Sequence, residues 1–114
     1  MIKLTFTITQ LNEFYKYLVE CVISIKYTIA YTKDFYQVRK LNAELSEFNN
    51  CLLKVQTKVT KAQVLGKIQK KYTIGISYMQ GFLLSNDYEL NKNLSDYINA
   101  ILSEKTSQIN KMLA

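Results

Sequence analysis

The stretch VRKLNAELSEFNNCLLKVQTKVTKA, residues 38–62, places apolar side chains at Val38, Leu41, Leu45, Phe48, Leu52, Val55, Val59 and Ala62. The intervals are 3, 4, 3, 4, 3, 4 and 3, the spacing of a helix with one apolar seam per seven residues. A long heptad helix is expected over 33–65, with Val38, Leu41, Leu45, Phe48, Leu52, Val55 and Val59 as its packing seam. Asp34, Glu44 and Glu47 lie early and Lys54, Lys58 and Lys61 late, which complements the helix dipole. The seam is flanked by Asn42, Asn49, Cys51, Gln56 and Gln63, whereas dimeric coiled coils carry paired charges there. Packing inside an antiparallel bundle is therefore expected.

Upstream, Leu11, Phe14, Leu18, Val22, Ile25 and Ile29 follow intervals of 3, 4, 4, 3 and 4, a helix over 10–31. Its second half also alternates (Ile23, Ile25, Tyr27, Ile29, Tyr31), so 22–31 is open between helix and strand. Residues 1–9 alternate as well: Ile2, Leu4, Phe6 and Ile8 against Lys3, Thr5, Thr7 and Thr9. They read as a strand or an extended arm.

Downstream of Gly66, the residues Leu65, Ile68, Tyr72, Ile76, Met79 and Leu83 predict a helix over 66–84, with a strand as the competing reading at 72–79. Gly81 offers a helix stop. Asn86 and Glu89 form a capping-box pattern that would open a last helix over 86–112. The expected fold class is mainly all-α, an antiparallel bundle of about four helices, with a short N-terminal strand or arm as an option. No internal repeat, linker or low-complexity segment stands out, and one domain over 1–114 is the reading.

Composition excludes much chemistry. The 114 residues contain no His, no Pro and three Gly. That leaves no imidazole ligand or base, no proline-rich ligand and no phosphate-cradling glycine loop. No catalytic set, metal site or cofactor site is expected. Cys21 and Cys51 stand thirty residues apart without a CxxC pattern, and read as small core residues in a reducing, intracellular compartment, with an inter-helix disulfide as the alternative. The most apolar run, Tyr17 to Tyr31, carries Glu20 and Lys26 and reads as neither a leader nor a bilayer span.

The net charge of +6 has a location. From Phe48 to Asn86 there is no acidic residue, and Lys54, Lys58, Lys61, Lys67, Lys70 and Lys71 supply all six charges. With Tyr72 they are the candidate polyanion-binding residues, for RNA, DNA or an anionic surface. The competing reading is a solvated helix face. Nine tyrosines are too many to bury with satisfied hydroxyls, so some are expected at an interface.

The stretch YQVRKLNAEL (36–45) is similar to the helix of small Rop-like hairpin proteins of archaeal viruses. Leu52 to Val64 is similar to the helical-hairpin protein near the ribosomal tunnel exit. Each covers under a quarter of the chain, they conflict, and neither assigns a family; both imply a non-enzymatic helical protein acting by contact. The expectation is a small interaction or assembly protein, homo-oligomeric or part of a larger particle. A virus, phage or plasmid accessory protein or an immunity-type inhibitor would fit. The alternative is nucleic-acid binding through the lysines of 54–71.

Overall fold

The computed structural model describes residues 1–65, 71–90 and 96–113. The N-terminal alternation resolves as strand β1, Ile2–Phe6, and a second strand, β2, spans Tyr72–Ile76. The helices are α1 (Ile8–Tyr31), α2 (Phe35–Leu65), α3 (Tyr78–Leu90) and α4 (Asp96–Leu113). The molecule is thus mainly helical, with α1 on α2 and α3 on α4, as the sequence led one to expect of the class. A two-stranded antiparallel ribbon is set among them.

The ribbon pairs Leu4 with Ile74, and on either side Ile2 with Ile76 and Phe6 with Tyr72. All six of these side chains are buried. They face Leu11, Phe14, Leu18 and Cys21 of α1, Phe48, Cys51 and Val55 of α2, Leu84 of α3 and Leu102 and Ile109 of α4. The alternate residues Lys3 and Thr73 are exposed. Segment 22–31 is helical and continues α1. Three residues, 32–34, then turn the chain into α2, closing a helical hairpin.

The expected helix over 66–84 is corrected. Residues 66–70 lie outside the described residues, 72–76 is strand, and α3 begins at Tyr78. Tyr72 and Ile76 are four apart, an interval that suits a helical face and also a period of two. A partner strand with a matching apolar face selects the second. Gly81 does not stop a helix; it lies inside α3, where a Cβ would stand 2.7 Å from Ile2 Cδ1 and 3.2 Å from Ile109 Cγ2. The Asn86–Glu89 cap is also overturned, because α3 runs through it to Leu90 and α4 opens at Asp96. Asp87 instead accepts from the Tyr17 hydroxyl, and from the Cys21 thiol at 3.4 Å.

The structure also holds a repeat that was not expected from the sequence. Residues 70 apart are equivalent (2 and 72, 4 and 74, 6 and 76), and both strands share one burial pattern. Each strand is followed by a capping box. Gln10 N donates to Thr7 Oγ1 at 3.2 Å and Thr7 N to Gln10 Oε1 at 2.9 Å. Gln80 N donates to Ser77 Oγ and Ser77 N to Gln80 Oε1, both at 3.1 Å. With this register, an approximate two-fold axis passes through the Leu4–Ile74 pair.

The two halves interlock across that axis. Lys54, on α2 of the first half, donates to Gly75 O of the second at 3.0 Å and to Gln80 Oε1 at 3.2 Å. Lys105, on α4 of the second half, donates to Thr5 O of the first and stands 4.7 Å from the Phe6 ring centroid. Thr5 and Gly75 are equivalent positions. The two lysines differ in burial: Lys105 is 2% exposed and Lys54 is on the surface.

Three substitutions test these contacts. Lys105→Ala removes a buried side chain and leaves the half-buried Thr5 carbonyl without its donor, so urea unfolding should show a loss of about 2 kcal/mol. Lys54→Ala should lose less than about 1 kcal/mol, because water replaces its hydrogen bonds. Gly81→Val should lose about 2 kcal/mol or more, since Ile2 and Ile109 are fully packed around that position.

Candidate functional site

The outer face of the ribbon is the surface on which polar side chains converge. Its central cross-strand pairs are Lys3 with Gly75 and Thr5 with Thr73. Lys71, just before β2, is exposed at one end, as are Thr7 and Ser77 after each strand. Alternation produces this face: the positions that place Ile2, Leu4 and Phe6 inward place Lys3 and Thr5 outward. Helices α1 and α3 start directly from the two ribbon ends, and neither has an acidic residue in its first turn. The partial positive charge of both N-termini is therefore not opposed locally.

Beside β2 runs a groove of about 340 Å³ lined by Lys54, Thr57, Lys58, Thr73, Ile74 and Gly75. Lys3 stands across from Gly75 in the register, and Gly75 also lines the groove with Lys54 and Lys58. The opposite flank is different. There Lys105 is buried, and its neighbour Glu104 stands 3.4 Å from the ammonium group. The basic character thus lies over one side of the ribbon. A second groove, of about 470 Å³ between α3 and α4, includes Glu89 and Lys111 and has no dominant charge.

The lysines singled out in the sequence fall as follows. Lys54 and Lys58 line the groove, Lys61 is exposed one turn further along α2, and Lys71 is exposed at the ribbon end. Lys67 and Lys70 lie outside the described residues. Tyr72 is 6% exposed and belongs to the core opposite Phe6. Lys3, Thr5 and Thr73 were missed as site residues: the alternation sets Lys3 and Thr5 on one side of β1, but nothing local to either strand shows that Thr73 lies beside them. The equivalence of 7-x-x-10 and 77-x-x-80, both hydroxyl-x-x-Gln after an alternating run, was the available signal.

The seam residues Phe48 and Val55 are buried, and Val38, Leu41, Leu45, Leu52 and Val59 are half-buried. Phe48 and Val55 belong to the core, and Leu45, Leu52 and Val59 pack against it. Both cysteines are free thiols in the core. Burial pushes each up to about 12, with Glu20 adding to the effect on Cys21 and Lys54 opposing it at Cys51. Among the described residues no cluster of His, Cys, Asp or Glu could hold a metal ion, and no helix is long and apolar enough to cross a membrane. Comparison with protein-family models, curated proteins and solved structures yields no match.

The thiols give a direct check on this core. A thiol raised from 9.0 stays protonated in the folded chain while the unfolded chain ionises, so the cysteines oppose folding as pH rises from 9 towards 12. At pH 8 the folded protein should react slowly with an aromatic disulfide reagent. In guanidinium both thiols should react at once. Fast reaction of either in the native state would place it outside the core.

Proposed function

We propose that the chain is a non-catalytic protein that binds double-helical DNA, with the ribbon lying in the major groove. The observation that carries this reading is the helix-free outer face of a two-stranded antiparallel ribbon, which presents Lys3 and Thr73 beside the Met1 side chain packed on Gly75, with Lys54 and Lys58 along the β2 edge. The DNA major groove is about 12 Å wide and admits either one helix or one two-stranded ribbon. Five-residue strands at about 3.4 Å per residue span about 17 Å, enough for a few base steps. The side chains on the face suit that environment. Lysine pairs with guanine acceptors, and threonine offers a hydroxyl to base edges and a methyl group to thymine.

The flanks would hold the duplex. Lys58, Lys61 and Lys71 are exposed and lie on or next to the groove wall, positioned for phosphates. The N-termini of α1 and α3 favour anions at both ends of the ribbon. Double-stranded RNA presents a deep, narrow major groove that such a ribbon cannot enter, so DNA is the preferred duplex. Because both strands come from one chain, a single copy would fill a whole site. Its halves differ: the two-fold axis relates Lys3 to Thr73 and Thr5 to Gly75, so the site should lack inverted symmetry.

Fluorescence anisotropy with a labelled 20-base-pair duplex tests the reading. Binding should weaken with salt with a log–log slope of about −3, corresponding to the three phosphate-facing lysines. Lys3→Glu and Lys58→Glu should each lower affinity at least tenfold without changing the melting temperature. Selection from random duplexes should return an asymmetric motif at one protein per duplex. No binding at low salt, or equal affinity for duplex RNA, would overturn the proposal.

A further inference from the structure

The two halves of the chain are unequal in one respect that the ribbon does not require. Helices α1 and α2 have 24 and 31 residues, whereas α3 and α4 have 13 and 18. The surplus forms an arm. The last fully buried residue of α1 is Val22 and the first of α2 is Phe48, so residues 23–47 contribute no fully buried side chain. Ordering that many residues opposes folding, and the core gains little in return.

The tip of the arm is apolar and cationic together. Ile23, Tyr27 and Tyr31 recur every four residues along one stripe of α1 and are 60, 66 and 73% exposed. Phe35 and Tyr36, opening α2, are 71 and 80% exposed. The Tyr27 and Tyr31 rings stand 4.7 Å apart, and those of Phe35 and Tyr36 6.1 Å apart. Between 23 and 40 the charges are Lys26, Lys33, Arg39 and Lys40 against Asp34, that is four minus one, or +3. Asp34 is already engaged, capping α2 by accepting from Tyr36 N at 2.9 Å. Exposed apolar patches of this kind mark interaction sites.

From this we infer that the arm tip is a docking surface for an acidic, apolar segment of another protein. The occupant's charge follows from complementarity: +3 around an aromatic stripe favours carboxylates beside apolar anchors. Tip-to-tip contact with a second copy would set +3 against +3. Most of the tip lies away from duplex held by the ribbon: Tyr31 stands about 35 Å along α1 from Ile8 at about 1.5 Å per residue, and Phe35 and Tyr36 open α2 beyond it. Three of the five exposed rings and aliphatics are tyrosines, whose hydroxyls find hydrogen-bond partners more readily in a protein interface than in acyl chains.

Peptide display on the full-length chain tests this independently of DNA. A random 16-residue library is selected on the wild-type protein and counter-selected on a variant carrying Tyr27→Ala, Tyr31→Ala, Phe35→Ala and Tyr36→Ala. Enriched peptides should combine Asp or Glu with apolar residues. A synthetic representative should lose at least tenfold in affinity to the alanine variant and to Lys33→Glu with Lys40→Glu. Both variants should keep the wild-type melting temperature, since the altered side chains are exposed. Failure to enrich, enrichment of basic peptides, or binding instead to vesicles of 70% phosphatidylcholine and 30% phosphatidylserine would overturn the inference.

Discussion

The pairing of two strands 70 residues apart is the constraint on which the rest of the molecule depends. Bringing them together costs about 4 kcal/mol of loop-closure entropy, and an isolated two-stranded ribbon is marginal in water. It persists because its inner face supplies six buried side chains to a core that no helix pair completes alone. All four helices contribute to the cover of that inner face. Since α2 reaches across to β2 and α4 to β1, neither half retains its own cover if the other opens. Folding of the two halves is accordingly coupled through the ribbon.

A two-stranded sheet is all edge, and edges with open carbonyls invite further strands. Here each edge is met by a lysine from the opposite half, Lys54 at Gly75 and Lys105 at Thr5. The same geometry is realised in two environments. Lys105 lies under the surface with the Phe6 ring beside it, while Lys54 stays in the open groove. That difference leaves one flank of the ribbon with accessible positive charge and the other without it. The two-fold arrangement of the backbone thus carries an asymmetric surface.

Much of this architecture is legible locally. The seam from Val38 to Ala62 defines α2, the 3–4 spacing from Leu11 defines α1, and the alternation at the N-terminus contains β1. What escapes local reading is long-range. Whether Tyr72–Ile76 is a strand depends on Ile2–Phe6 being available to pair, and an interval of four residues cannot decide. Gly81 resembles a stop when read in its own window; its meaning comes from Ile2 and Ile109, far away in sequence. The cap at Asn86 is chemically plausible and is overridden by the packing that brings Asp87 to Tyr17. The lysine cluster was visible as charge, whereas its relation to Lys3 and Thr5 required the register. Recognising the common strand–hydroxyl–x-x-Gln pattern at both ends of the chain would have supplied that register in advance.

The arm and the ribbon are separated, yet they share their helices. The N-terminus of α1 adjoins the ribbon face and its C-terminus carries Tyr27 and Tyr31; α2 carries Phe35 and Tyr36 at one end and Lys54 and Lys58 at the other. No proline interrupts either helix, and the half-buried seam holds the two together along the arm. The tip and the groove wall are therefore opposite ends of one helical hairpin. Lys54 fastens that wall to Gly75 and Gln80, so the contact that covers the ribbon edge also ties the arm's own helix to the second half of the chain.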